Sequence, residues 1–189
     1  MPISINGSGT VTGISVGGLP DGIVDTDMIA ASAVTDAKAN PGLGKIVKTS
    51  YVSTASFTDG TSTSYFDIGS LTVNHTPLSS SNTLHVVAHI QNLVIEIGTY
   101  EGSIGLRILK DSTEISAIEL RSKDYGQSGM RNCTTGILDA QVNAGTTSQI
   151  TFKCQCKMIN GNLVSINPGN EGGGTDSDQS SITVFEIAS

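Results

Sequence analysis

Between Gln149 and Met158 the chain alternates without a break. Ile150, Phe152, Cys154, Cys156 and Met158 are apolar, while Gln149, Thr151, Lys153, Gln155 and Lys157 are polar. A period of two gives one dry face and one wet face, the signature of a half-buried β-strand. Leu84, Val86, Ala88 and Ile90 repeat the pattern. Past Asn92 the apolar phase flips to Leu93, Ile95 and Ile97, which predicts a bulge or a strand buried on both faces. Ile104, Leu106 and Ile108 lead through Lys110-Asp111-Ser112 into Ile115 and Ala117, a hairpin with a polar turn. Further strands are expected at 46–52, 63–73, 133–139, 162–166 and 181–188. Nine or ten short strands between turn residues describe an antiparallel β-sandwich or jelly roll. The 22 glycines, with abundant Ser and Thr, suit its many tight connections.

The first forty residues are different. Asn40-Pro41-Gly42-Leu43-Gly44 punctuates the chain and divides a segment 1–44 from a domain 45–189. In the segment, Ile3-Ser4-Ile5 and Thr10-Val11-Thr12 flank Asn6-Gly7-Ser8-Gly9, which reads as a short hairpin. Asp25-Thr26 is placed to cap a short helix through Ile29, Ala33 and Ala37. Large apolar residues are too thin here to close a core. Ile3, Ile5, Val11, Ile14, Val16, Leu19, Ile23, Met28 and Ile29 nonetheless keep a spaced apolar beat. Such a segment must bury its apolar residues against copies of itself or against a partner. Those nine residues are the candidates for attachment and for a trimer interface.

The run Gly17-Gly18-Leu19-Pro20-Asp21-Gly22-Ile23-Val24-Asp25-Thr26-Asp27-Met28-Ile29-Ala30, preceded by the turn Asn6-Gly7-Ser8-Gly9-Thr10, resembles the N-terminal attachment segment of bacteriophage tail-fibre proteins. The likeness is greatest to short fibres of marine and cyanobacterial phages. The ending Ser180-Ser181-Ile182-Thr183-Val184-Phe185-Glu186-Ile187 resembles the close of the compact C-terminal domain of phage fibres and appendages. Such domains are similar to trimeric jelly rolls of the tumour-necrosis-factor type. The resemblance covers the first 45 residues and the final ten; the middle matches by pattern alone. It implies a homotrimeric virion protein, docked to other virion proteins by residues 1–44, whose knob meets a host-surface glycan or protein. The alternatives are a capsid decoration (head-fibre) protein of the same architecture and a carbohydrate-active enzyme.

Charge narrows the partners. The formal net charge is −7, with no basic stripe, so nucleic acid and anionic membranes are disfavoured. The most apolar window, Leu93–Ile97, is too short to span a bilayer. No charged stretch followed by an apolar one opens the chain, so folding in a cytosol is expected, with the virion as destination. Three cysteines agree with reduced thiols.

No catalytic residues, metal or cofactor are expected. Ser residues lack a nucleophile elbow, and Gly172-Gly173-Gly174 lacks the Lys-Ser/Thr of a phosphate loop. His85 and His89 share a strand face but sit about 13 Å apart, too far to ligate one ion; Cys154 and Cys156 read as core. Glu186 points with Ile182 and Val184, and if buried it needs a partner such as Arg107, Arg121 or Lys153. Receptor contact is expected from exposed loops: Lys123, Asp124, Tyr125 and Gln127 in one, Asn170 and Asp176 in another.

Overall fold

The computed structural model describes residues 44–97, 100–123, 131–167 and 179–189. The expected hairpin, the helix and the nine attachment candidates Ile3 to Ile29 lie outside these residues. The described part consists of ten strands and no helix: β1 (Ile46–Thr54), β2 (Thr58–Gly60), β3 (Phe66–His75), β4 (Thr83–Glu96), β5 (Glu101–Lys110), β6 (Thr113–Lys123), β7 (Arg131–Asn143), β8 (Ile150–Asn160), β9 (Leu163–Ile166) and β10 (Ser180–Ile187).

Every pairing is antiparallel, in two sheets. One sheet has the order β3-β8-β5-β6. The other is built around β4, whose whole length from Thr83 to Glu96 pairs with β7 along one edge. Its other edge is shared: β10 pairs with Thr83–His89, and β9 with Leu93–Glu96. β1 extends β10 outward and β2 extends β9, so this six-stranded sheet is four strands wide with a break partway along. The chain crosses from sheet to sheet at most connections, and among the described residues only β5–β6 is a hairpin between paired neighbours. That is jelly-roll connectivity, an antiparallel sandwich with Greek-key crossings.

The core lies between the sheets. Leu84, Val86, Ala88, Ile90, Ile182 and Val184 from one sheet face Ile104, Leu106, Ile108, Phe152, Cys154 and Cys156 from the other. Phe152 is the one aromatic among the largest fully buried side chains, so aliphatic residues fill the space and each contributes roughly 1.5–3 kcal/mol by leaving water.

The phase flip in β4 is a bulge. Ile90 pairs with Gly136 and Leu93 with Thr134, so three steps on β4 match two on β7. Asn92 takes a φ of 43°, a left-handed conformation that Asn tolerates better than most residues. The extra residue returns Leu93, Ile95 and Ile97 to the core. It also ends the β10 ladder, and a buried polar cluster stitches the gap. The Gln91 amide donates to Ser180 Oγ (3.0 Å), and Ser180 Oγ donates to Asn167 Oδ1 (2.9 Å). Asn167 Nδ2 then donates to the carbonyls of Thr54 (3.2 Å) and Ser56 (3.3 Å). Strand breaks on β1/β2 and β9/β10 are thereby joined at one level.

Candidate functional site

The register sorts the connections by height. Glu96 of β4 pairs with Arg131 and Leu163, and Glu101 pairs with Lys123. The feet of loop 124–130 therefore stand at one end of the sandwich. Ile46 pairs with Ile187, so Gly44 and the C-terminal Ser189 stand at the other end, beside the loop 76–82. At about 3.3 Å per residue along β4, the ends are about 40 Å apart. The feet of loop 168–178, Asn167 and Gln179, lie midway, beside the β4 bulge.

Of the six contact candidates, Lys123 lies within the described residues. It ends β6, exposed, with Nζ 3.7 Å from Glu101 Oε2, an ion pair that screening makes weak. Asp124, Tyr125, Gln127, Asn170 and Asp176 lie outside the described residues. The feet of 124–130 stand at the end remote from Gly44; those of 168–178 do not.

The most organised polar chemistry surrounds Glu186, at the end nearest Gly44. Its side chain is 0% exposed. Oε1 accepts from the Leu78 amide (2.7 Å), the Ser79 amide (3.3 Å) and Asn82 Nδ2 (2.7 Å). Oε2 accepts from His75 Nε2 (3.2 Å), and His75 Nδ1 lies 2.9 Å from Ser50 Oγ. One assignment satisfies every atom: the neutral ring carries its proton on Nε2 and donates to the carboxylate, while Nδ1 accepts from the Ser50 hydroxyl. Lys48 Nζ donates to the Thr76 carbonyl beside this chain of bonds. The group ties β1, β3, β10 and the 76–82 loop together.

The pKa directions agree with that assignment. Burial pushes the Glu186 carboxyl up, but hydrogen bonds from Asn82, Leu78, Ser79 and His75 outweigh it and hold the group below the ordinary range. Burial pushes the His75 ring down, and the opposing pull of Glu186 does not restore it. An ionised carboxylate beside a neutral imidazole follows.

The expected partners of Glu186 are corrected. Arg107 donates to Gln155 (2.7 and 2.9 Å) and Glu114 (3.3 Å), Arg121 to Glu119 (2.8 Å), and Lys153 pairs with Asp67 (3.1 Å). All three cations point outward from the four-stranded sheet into water, whereas Glu186 points into the sandwich. Its donors are instead two backbone amides, an amide side chain and an imidazole. The bonding order Ser50–His75–Glu186 is that of a nucleophile–base–acid relay. His75, however, is 1% exposed and both its ring nitrogens are engaged, so no substrate atom reaches the base.

Cys154 and Cys156 are core residues whose thiols are each pushed up to about 12 by burial. Cys133 is exposed. His85 and His89 face outward from β4, and His85 Nε2 is held by Asp139 Oδ2 at 2.5 Å. Among the described residues no three His, Cys, Asp or Glu side chains gather as a metal site. No protein-family model matches the chain, and no curated protein matches it.

Proposed function

We propose that the chain is a phage virion structural protein: a homotrimeric short tail fibre or similar appendage that mediates attachment to the host surface. Residues 1–44 dock it to other virion proteins, and residues 45–189 form the outward knob. The observation that carries this reading is the N-terminal run Gly17–Ala30, with its likeness to fibre attachment segments. The jelly-roll strand order supports it, because fibre knobs of the resembled type share that architecture. So does the height of the loops: the chain enters the knob at Gly44, and loop 124–130 springs from the remote end, where a receptor would be met. With the His75 ring sealed and both its nitrogens engaged, the Ser50–His75–Glu186 relay supports a structural role for that cluster. Adhesion then arises from several weak knobs acting on one particle.

Competition tests the reading. Purified full chain, added to host cells before virus, should reduce particle adsorption in a dose-dependent way. Unchanged adsorption, with antibody to the chain labelling capsids rather than tails, would replace it with the capsid-decoration role.

A further inference from the structure

The connection from β8 to β9 is the pair Gly161-Asn162, and it is pinned to β4: the Asn162 amide donates to the Glu96 carbonyl (3.0 Å). Gly161 is there by necessity. Its φ is +120°, and a Cβ would stand 2.7 Å from the same Glu96 oxygen. The residue before it is Asn160, the one asparagine followed by glycine among the described residues. Asn160 is exposed at the last position of β8, and its pairing with Ser103 lies beyond a break in the β5–β8 register. A strand end held by one rung past an irregularity opens more easily than the strand behind it. Asn160 Nδ2 donates to Glu101 Oε1 (3.2 Å), while Lys123 Nζ stands 3.7 Å from the other carboxylate oxygen.

We infer that Asn160 is a site of spontaneous covalent modification, passing through a succinimide to isoaspartate and aspartate, and that this change unlatches the β8–β9 turn. The Gly161 amide nitrogen attacks Asn160 Cγ. The new N–Cγ bond closes a five-membered ring, the Cγ–Nδ2 bond breaks, and Nδ2 leaves as ammonia with the proton from Gly161. Glycine suits this step because no side chain shields its nitrogen. Water then opens the ring: attack at Cγ gives aspartate, and attack at the main-chain carbonyl gives isoaspartate, with the backbone running through the side chain. Both products replace the amide that donated to Glu101 with a carboxylate facing it, and like charges at that distance repel. Isoaspartate also lengthens the main chain by one methylene, immediately before the amide that holds Glu96. The turn stands at the end of the sandwich that carries the feet of loop 124–130. The inference is independent of the proposed role.

Ageing the full folded chain in mildly alkaline buffer tests this. No Lys or Arg follows Lys157, so trypsin releases Met158–Ser189 as one peptide, apart from the chain's other Asn-Gly pair, Asn6-Gly7. Electron-transfer fragmentation should place isoaspartate at Asn160, forming at least tenfold faster than at Asn162 or Asn167 in the same peptide. The Asn162 amide should then exchange with deuterated water at least tenfold faster in the aged chain than in the fresh one. An Asn160→Gln chain aged alongside should keep its protection, because its longer side chain does not close the five-membered ring. Asn160 left intact in the folded chain, over a time in which the urea-unfolded chain converts, would overturn the site. Isoaspartate at Asn160 with unchanged exchange at Asn162 would overturn the unlatching.

Discussion

Replacing Glu186 with alanine removes the acceptor of four donors at once. The Leu78 and Ser79 amides, Asn82 Nδ2 and His75 Nε2 all lose their partner, and the vacated space lies where the side chain was 0% exposed. A buried donor left unpaired costs about 1–3 kcal/mol, although loop amides near the surface regain some water. Asn82 Nδ2 and the neutral His75 ring stay dry, so these two buried donors, with what the loop amides do not regain, set an expected loss of about 3–5 kcal/mol for Glu186→Ala. For a domain of this size it corresponds to a fall in Tm of roughly 10–20 °C. Glu186→Gln should cost far less, about 1–2 kcal/mol, the difference between charged and neutral hydrogen bonds. The new amide would donate to His75 Nε2, and the ring would shift its proton to Nδ1 to face Ser50 Oγ. Urea unfolding at neutral pH and one fixed protein concentration measures both. A loss under about 1 kcal/mol for Glu186→Ala, or equal losses for the two variants, would refute the account of how this carboxylate is held.

Acid should weaken the fold in two stages. His75 titrates below its ordinary value of 6.5, so the unfolded chain takes up a proton first, and stability falls as pH drops through that range. Glu186 is held below its ordinary 4.5, so its stabilisation is full above that pH and disappears as pH falls through the lower folded value. His75→Gln should flatten the first stage in a pH series of urea midpoints and leave the second; an unchanged slope between pH 7 and 5 would contradict the neutral ring. Gly136→Ala would set a methyl 2.4 Å from Leu106 Cδ1, and overpacking of that kind costs about 1–3 kcal/mol, readable as a lower Tm. Gly161→Ala should cost at least as much, because φ is +120° and the new methyl meets the Glu96 carbonyl oxygen at 2.7 Å. Of the three thiols, Cys133 alone should react with a disulfide reagent in the native state, with Cys154 and Cys156 following on unfolding.

Local pattern carried most of the fold. The alternation in β8 and the inward run Leu84 to Ile90 are statements about single strands, and the pleat turns them directly into burial. The bulge at Asn92 was legible because an extra residue must flip the apolar phase, and the flip is written in Leu93, Ile95 and Ile97. β2 was not legible: Thr58-Asp59-Gly60 has no apolar residue, and its strand character comes from pairing with Ser165 and its neighbours. The surroundings of Glu186 were hidden for a related reason. His75 lies 111 residues away, and two of the donors are backbone amides, which have no side-chain signature. One clue was present: His75 continues the inward phase of Leu71 and Val73, so a polar ring was bound for the core and needed a partner there. Lys and Arg suggested themselves by charge alone, yet β5, β6 and β8 turn those residues toward water.

The most direct test of the proposed role is electron cryomicroscopy of phage particles purified from cells that produce this chain, at a resolution that traces residues 1–44. The account predicts three copies joined to the tail through that segment, with loop 124–130 of each knob facing away from the particle. The same segment seated on capsid subunits, or a chain absent from the particle, would contradict it.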